Sequence, residues 1–163
     1  MTATRGFALL LTLAITGVAA ERFGVAIARF TEIGDARLAL ASRSDLAHAY
    51  RRAGRLDQAE AMYRETIGGW VHLGHRGAVA NQLENVAYVA IERGQSERAA
   101  QLLGAAEAMR EAAGAAMAFD EAPELAGFVE RLRERLAPDV LETAWRSGRR
   151  LSIADAVALA RAH

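Results

Sequence analysis

The chain has 163 residues, 52% of them apolar, and its 20 basic residues are balanced by 20 acidic ones. Without a net charge there is no long-range attraction toward nucleic acid or an anionic membrane, so neither is expected as a direct partner. The absence of cysteine excludes disulfides and thiolate metal sites, which is compatible with a cytoplasmic protein. This length is sufficient for the core of one domain.

The amino-terminal segment allows two interpretations. A basic residue, an apolar run over residues 7–15 and small residues up to Ala20 are typical of a secretory signal peptide. The apolar run is shorter than the roughly 20 residues that span a membrane. Phe30, however, matches Trp70 at a forty-residue offset, and this match predicts the second helix of a hairpin whose first helix is 5–16. We therefore expect the segment to be retained, with secretion as the alternative.

Glycines mark a fixed period along the chain. Gly34, Gly74 and Gly114 lie 40 residues apart, and Gly54 and Gly94 have the same spacing. Glycine ends helices because it adopts the left-handed conformation at little cost. Such a period is typical of stacked units, each of which needs a neighbour to bury its apolar face. The sequence thus predicts an all-α protein with hairpins over residues 5–34, 36–74 and 76–114.

The two best-defined hairpins share a packing pattern. In each, an apolar stripe at helical spacing precedes the glycine and a second stripe follows it. Small alanines let the two helix axes approach, and larger side chains fill the seam. The pattern is Leu46, Ala47, Tyr50, Gly54, Ala59 and Tyr63 in one copy, and Val86, Ala87, Ala90, Gly94, Ala99 and Leu103 in the other. We expect Tyr63 and Leu103 to be buried at equivalent positions.

This pattern resembles the tetratricopeptide repeat, in which a large apolar residue, a small one, an aromatic, a glycine, an alanine and a second aromatic follow in order. The second copy departs from it because Ala90 and Leu103 are not aromatic. The period is also longer than the usual one, which implies longer helices. The resemblance implies a tetratricopeptide-like helical-hairpin solenoid with a period of about 40 over residues 1–116.

Three segments, 68–90, 94–115 and 140–160, resemble a narrower group, the carboxy-terminal MalT-like helical-repeat region of large bacterial ATPase regulators, including LuxR-type and cyclase-linked ones. In that group an ATPase precedes repeats that sense signals or hold the protein inactive. The sequence contains no phosphate-binding GxxxxGK[ST] loop. The resemblance therefore implies a sensor or scaffold segment whose partner is a protein or peptide, with an ATPase or DNA-binding regulator domain among the candidates.

The repeat pattern is lost after Gly114. Residues 117–124 are predicted to be a linker, and residues 125–163 to form helices that cap the stack. The apolar face of the first capping helix contains Leu125, Phe128, Val129, Leu132 and Leu136. Pro138 is expected to open the next helix and Gly148 to end it, while Ser152 and Asp155 cap the start of the last.

The histidines are the first candidates for chemistry. His72 and His75 are spaced so that they could share a helix face as metal ligands, with His48 as a third. His75, however, takes the turn position of Asp35, and His48 takes the helix position of Tyr88. We therefore predict no metal site and no cofactor.

Carboxylates and arginines are the next candidates for chemistry. The pairs Glu60 with Glu65 and Asp120 with Glu121 are of the type that supplies an acid and a base, but such residues are common on solvated helix faces. Arginines at 131, 133, 135, 149 and 150 could hold phosphate, yet neighbouring glutamates balance them. We predict that the protein is not an enzyme.

The predicted partner-binding site is a concave groove. The resemblance assigns its lining to the first helix of each hairpin, at positions that the packing stripe leaves over. These residues are Ser44, His48, Arg51, Arg52, Asn81, Glu84, Tyr88 and Glu92. Tyr88 is the expected anchor, since large amphipathic residues tend to dominate interfaces.

These features predict a non-enzymatic protein–protein interaction scaffold or sensor segment of a bacterial regulatory protein. Two alternatives remain open. One is a truncated gene fragment or structural spacer without independent activity. The other is a secreted tetratricopeptide scaffold, if residues 1–20 are a signal peptide.

Overall fold

A computed structural model describes residues 17–18, 20–117 and 121–162. All regular structure in these ranges is helical, which confirms the all-α prediction. The helices are α1 (20–32), α2 (Ala36–Arg52), α3 (Leu56–His72), α4 (Arg76–Glu92), α5 (Ser96–Ala113), α6 (Glu121–Arg135), α7 (Pro138–Arg149) and α8 (Ile153–Arg161). The predicted helix 5–16 and the apolar run of the possible signal peptide lie outside the described residues. Among the described helices, none has the length and apolar character needed to span a bilayer.

The chain forms two compact units, Met1–Thr66 and Ile67–His163, with the border inside α3. In the first unit, α2 contacts α3 through His48 and Tyr63. In the second, α4 packs on α5, α6 and α8, and α5 also packs on α7. Tyr63 is fully buried and Leu103 is 2% exposed, as predicted.

The turns that follow α1 to α5 are built alike. Each contains a glycine with φ between 57° and 77°, a conformation that other residues rarely adopt. After α2, the Gly54 N–H bonds the Arg51 carbonyl at 2.9 Å and the Arg55 N–H bonds the Tyr50 carbonyl at 2.9 Å. This double closure satisfies carbonyls that the helix end leaves free. Successive turn glycines are 20 residues apart, half of the predicted period, because each helix from α1 to α5 ends in the same way.

Asp35 and His75 play the same role at the start of α2 and α4. The Asp35 carboxylate accepts a hydrogen bond from the Leu38 N–H at 2.9 Å, and His75 Nδ1 accepts one from the Ala78 N–H at 3.2 Å. These are N-caps, which satisfy donors in the first helical turn. The positional match of His75 with Asp35 thus has a structural cause.

Gly148 does not end α7, contrary to the prediction, because α7 continues to Arg149. It lies instead where α7 crosses α5, and a Cβ there would lie 2.8 Å from Gln101 Cα and closer still to the Gln101 carbonyl. Across the same crossing, a Cβ on Gly104 would lie 3.0 Å from the Trp145 carbonyl carbon. Both glycines allow the two backbones to approach.

The start of the carboxy-terminal region also differs from the prediction. Helix α6 begins at Glu121, inside the segment 117–124 that was predicted to be a linker. Pro123 is tolerated in its first turn because the backbone N–H groups there need no helical partner. Pro138 opens α7 and the Ser152 hydroxyl accepts from the Asp155 N–H at 3.1 Å, as predicted.

Candidate interaction face and cleft

The four predicted site residues of α4 share one helix face because they are spaced by three or four residues. They are Asn81, Glu84, Tyr88 and Glu92. In the structure, α6 lies along this face and runs parallel to α4, since contacts join Asn81 to Glu121 and Glu92 to Arg131, 40 and 39 residues apart. The offset is that of the predicted repeat. Helix α6 therefore lies beside α4 at this offset, and α7 follows it in the chain.

An aromatic stack forms the centre of this contact. The rings of Tyr88 and Phe128 are nearly parallel, at 8°, with centroids 4.1 Å apart. Tyr88 is consequently only 4% exposed, although the sequence predicted an accessible anchor. Leu132, one turn further along α6, is fully buried. The sequence could not place α6 here because it shares no residue pattern with the hairpins.

Ion pairs close one end of the contact. Arg131 donates to both carboxylate oxygens of Glu92, at 2.6 and 3.0 Å, and its guanidinium lies 5.1 Å from the Phe128 ring centroid. The hydrogen bond to Glu92 raises the pKa of Arg131 above its ordinary value. Arg135 donates to the Ile91 carbonyl. Each of these contacts uses a side chain of α6 to engage the last turns of α4.

A partly buried polar network, with Glu84 as its buried member, closes the other end. Arg110 of α5 donates to both oxygens of Glu84 at 2.6 and 2.7 Å, and Asn81 donates to Glu121 at 2.8 Å. Burial raises the pKa of Glu84, and the Arg110 guanidinium opposes that rise. Sequence reasoning missed Arg110. A signal was present, because Glu84 lies in the mostly apolar stretch from Val79 to Ile91, and a charge that is buried with such a stretch requires a partner.

The predicted residues of α2 belong to the other compact unit. Ser44 and Arg51 are 6% and 7% exposed, and the Ser44 hydroxyl donates to the Leu40 carbonyl at 3.0 Å. His48 Nδ1 lies 2.9 Å from the Tyr63 hydroxyl oxygen, which gives the buried hydroxyl a hydrogen-bonding partner. Arg52 is exposed. Ser44, His48 and Arg51 therefore take part in packing, whereas Arg52 lies on the surface of α2.

The other candidates for chemistry are engaged in structural contacts. Glu60 pairs with Arg64 at 3.1 Å, and Glu65 pairs with Arg43. Within 17–18, 20–117 and 121–162, no three His, Asp or Glu side chains are placed to hold a metal ion. Asp120 lies outside these ranges.

A cleft of about 780 Å³ separates α6 from α7, and sequence reasoning missed it. Its apolar lining consists of Val129, Leu136, Pro138, Leu141 and Trp145, and its charged lining of Arg133, Glu142, Arg146 and Arg149. Apolar side chains in the α4–α5 seam, such as Leu102 and Leu103, are at most 2% exposed, whereas those of the cleft stay partly exposed. The space between α6 and α7 is thus open to solvent, whereas the seam between α4 and α5 is closed.

The opening follows from how the two helices are held. Helix α6 is fixed to α4 by the contacts above, and α7 is fixed to α5 at the glycine crossing. Arg149 strengthens the attachment of α7 to α5 by pairing with Glu111 at 2.6 Å and with Glu107. Glu107 also accepts a hydrogen bond from the Trp145 indole N–H at 2.7 Å. Because each helix is held mainly by a different neighbour, a cleft remains between them.

Comparisons with known proteins found no match: no family model, curated protein or solved structure is similar to this chain. The tetratricopeptide and regulator resemblances therefore have no independent support.

Proposed function

We propose that the chain is a non-enzymatic interaction scaffold or sensor segment of a bacterial regulatory protein, located in the cytoplasm. The observation that carries this proposal is the α4 face, which holds an amphipathic helix by a ring stack and guanidinium–carboxylate pairs. Stacked helical units that recognise further helices in this way are suited to bind polypeptides. The ring stack and the guanidinium–carboxylate pairs between α4 and α6 support a protein or peptide as the partner class.

The proposal includes the tetratricopeptide-like solenoid and the predicted binding residues of α2. Left-handed glycines at a regular spacing and equal N-caps at Asp35 and His75 support a repeat. The carboxylates that could serve as acid and base are paired with arginines that join or stiffen helices, which favours a scaffold over an enzyme. The partner is a protein or peptide, with an ATPase or DNA-binding regulator domain as the first candidate, and no cofactor is required.

Co-purification with the product of a neighbouring ATPase or DNA-binding regulator gene tests this proposal. The full chain should bind that protein with a measurable Kd by calorimetry. Arg52→Glu, on the exposed predicted face of α2, should weaken binding at least about fivefold. Arg37→Glu, an exposed arginine of the same helix outside the predicted site, is the matched control. A chain that binds no regulator would instead be a spacer, and equal loss in both variants would contradict the assigned face.

A further inference from the structure

We propose that the α6–α7 cleft binds an anionic amphiphile, a molecule with a long apolar chain and a carboxylate, which gives the chain a small-molecule site in addition to its proposed polypeptide contacts. Its volume of about 780 Å³ is within the range of pockets that bind small ligands, and its largely apolar lining is typical of such pockets. Nothing in the proposed function requires this cleft, so the two proposals stand or fall separately.

The shape of the cleft favours an elongated ligand. Lining residues of α7 recur from Pro138 to Arg149, at spacings of three and four residues, so they form a continuous strip on one helix face. Eleven helical steps correspond to roughly 16 Å. Val129, Arg133 and Leu136 form the facing strip on α6. An extended hydrocarbon chain lying between the two strips would cover the apolar side chains of both.

The charges favour an anion. Three guanidinium groups and one carboxylate, that of Glu142, line the cleft, while the other carboxylates that pair with these arginines, Glu107, Glu111 and Glu130, lie outside the lining. Arg149 is committed to Glu107 and Glu111, but Arg133 and Arg146 each use one guanidinium nitrogen in a pair within their own helix, with Glu130 and Glu142.

Both of these intrahelical pairs are more than half exposed to solvent. Pairs of this kind contribute little, so a ligand carboxylate can recruit the remaining donors of Arg133 and Arg146. Arginine presents several donors in a fixed fork, which suits a carboxylate better than an alcohol or an amine.

Trp145 provides a direct readout because it lines the cleft. The chain has two tryptophans, and Trp70→Phe leaves Trp145 as the sole indole. We would titrate this full-length variant with sodium dodecanoate below its micelle concentration and follow the emission of Trp145. A saturable blue shift is expected, with dodecanol and dodecyltrimethylammonium binding at least about tenfold more weakly. Calorimetry on the wild-type chain provides a measurement that does not depend on the indole.

Variants at the rim test the role of charge. Arg133→Glu with Arg146→Glu should weaken dodecanoate binding at least about tenfold and leave dodecanol binding unchanged. Arg150→Glu is the matched control, because Arg150 is exposed and does not line the cleft. All three are surface changes, and far-UV circular dichroism checks that the helices persist. The proposal is overturned if no saturable binding occurs, if the alcohol or cation binds as tightly as dodecanoate, or if Arg150→Glu acts like the rim variant.

Discussion

The same substitution is expected to have opposite effects at two helical glycines. Gly148 packs against the backbone of Gln101 where α7 crosses α5, whereas a Cβ at Gly127 on exposed α6 would meet no atom within 4 Å. We expect Gly148→Ala to destabilise the protein and Gly127→Ala to stabilise it. Both glycines have ordinary helical φ, so the difference comes mainly from packing.

The magnitudes follow from two opposing contributions. Alanine is favoured over glycine in a helix interior by about 1 kcal/mol, and this gain applies in full at Gly127 and at most in part at Gly148, which is next to the last residue of α7. At Gly148 the new Cβ would meet the backbone of Gln101, which cannot rotate away as a side chain could. Moving the two helices apart at the crossing is expected to cost about 3 kcal/mol, the upper end of the usual range for overpacking. The net change is therefore at least about 2 kcal/mol of destabilisation at Gly148 and up to about 1 kcal/mol of stabilisation at Gly127.

Urea denaturation measures both changes. The midpoint should fall for Gly148→Ala and rise for Gly127→Ala, with the slope unchanged if unfolding remains two-state. Gly104→Ala, on the other side of the crossing, should behave like Gly148→Ala because it meets the Trp145 carbonyl. Equal signs at Gly148 and Gly127 would refute the close approach of α5 and α7.

Three further predictions concern single side chains. Tyr63→Ala should cost about 3–5 kcal/mol in a denaturant titration, because it removes a fully buried ring, and a loss below about 1 kcal/mol would mean that this position is exposed. His75→Asp should raise the thermal midpoint by the equivalent of about 0.5 kcal/mol, since a carboxylate caps the Ala78 N–H better and favours the helix dipole; an unchanged midpoint would show that His75 is not a working cap. Arg149 lowers the pKa of Glu111 below its ordinary 4.5. The stabilising contribution of this pair is therefore present above that value and is lost as pH falls through the lower folded-state pKa. In unfolding measurements, the difference between wild type and Glu111→Gln should be present at pH 6 and shrink as the pH falls below 4.5, and a constant difference would exclude this pair as the cause.

Much of the helical array could be predicted because its signals are local. A glycine that ends a helix acts through its own φ, so the turns at Gly54 and Gly94 were recognisable from spacing. The same residue type misled at Gly148, where glycine serves a close approach between helices. Only the position of a distant helix, α5, distinguishes the two roles, and a single sequence does not contain it.

The α4 face shows why the site was harder to predict. The predicted groove residues are the helix positions that remain when one packing stripe is set aside. Such positions face solvent only if no further helix covers them. Helix α4 packs on α5, α6 and α8, and even its polar residues Gln82 and Asn85 are only 1% and 5% exposed. Buried polar groups need partners, and Asn85 finds one in the Asn81 carbonyl at 2.9 Å.

Polar contacts along this face also favour one placement of α6. A helix held by apolar contacts alone can slide by a turn, but Asn81 must meet Glu121 while Glu92 meets Arg131. The two contacts are 11 residues apart on α4 and 10 on α6, so a slip along the axis would break both at once. With α6 fixed in this register and α7 fixed to α5, the two apolar strips line a cleft of about 780 Å³. The open cleft is thus a consequence of polar specificity on the opposite side of α6.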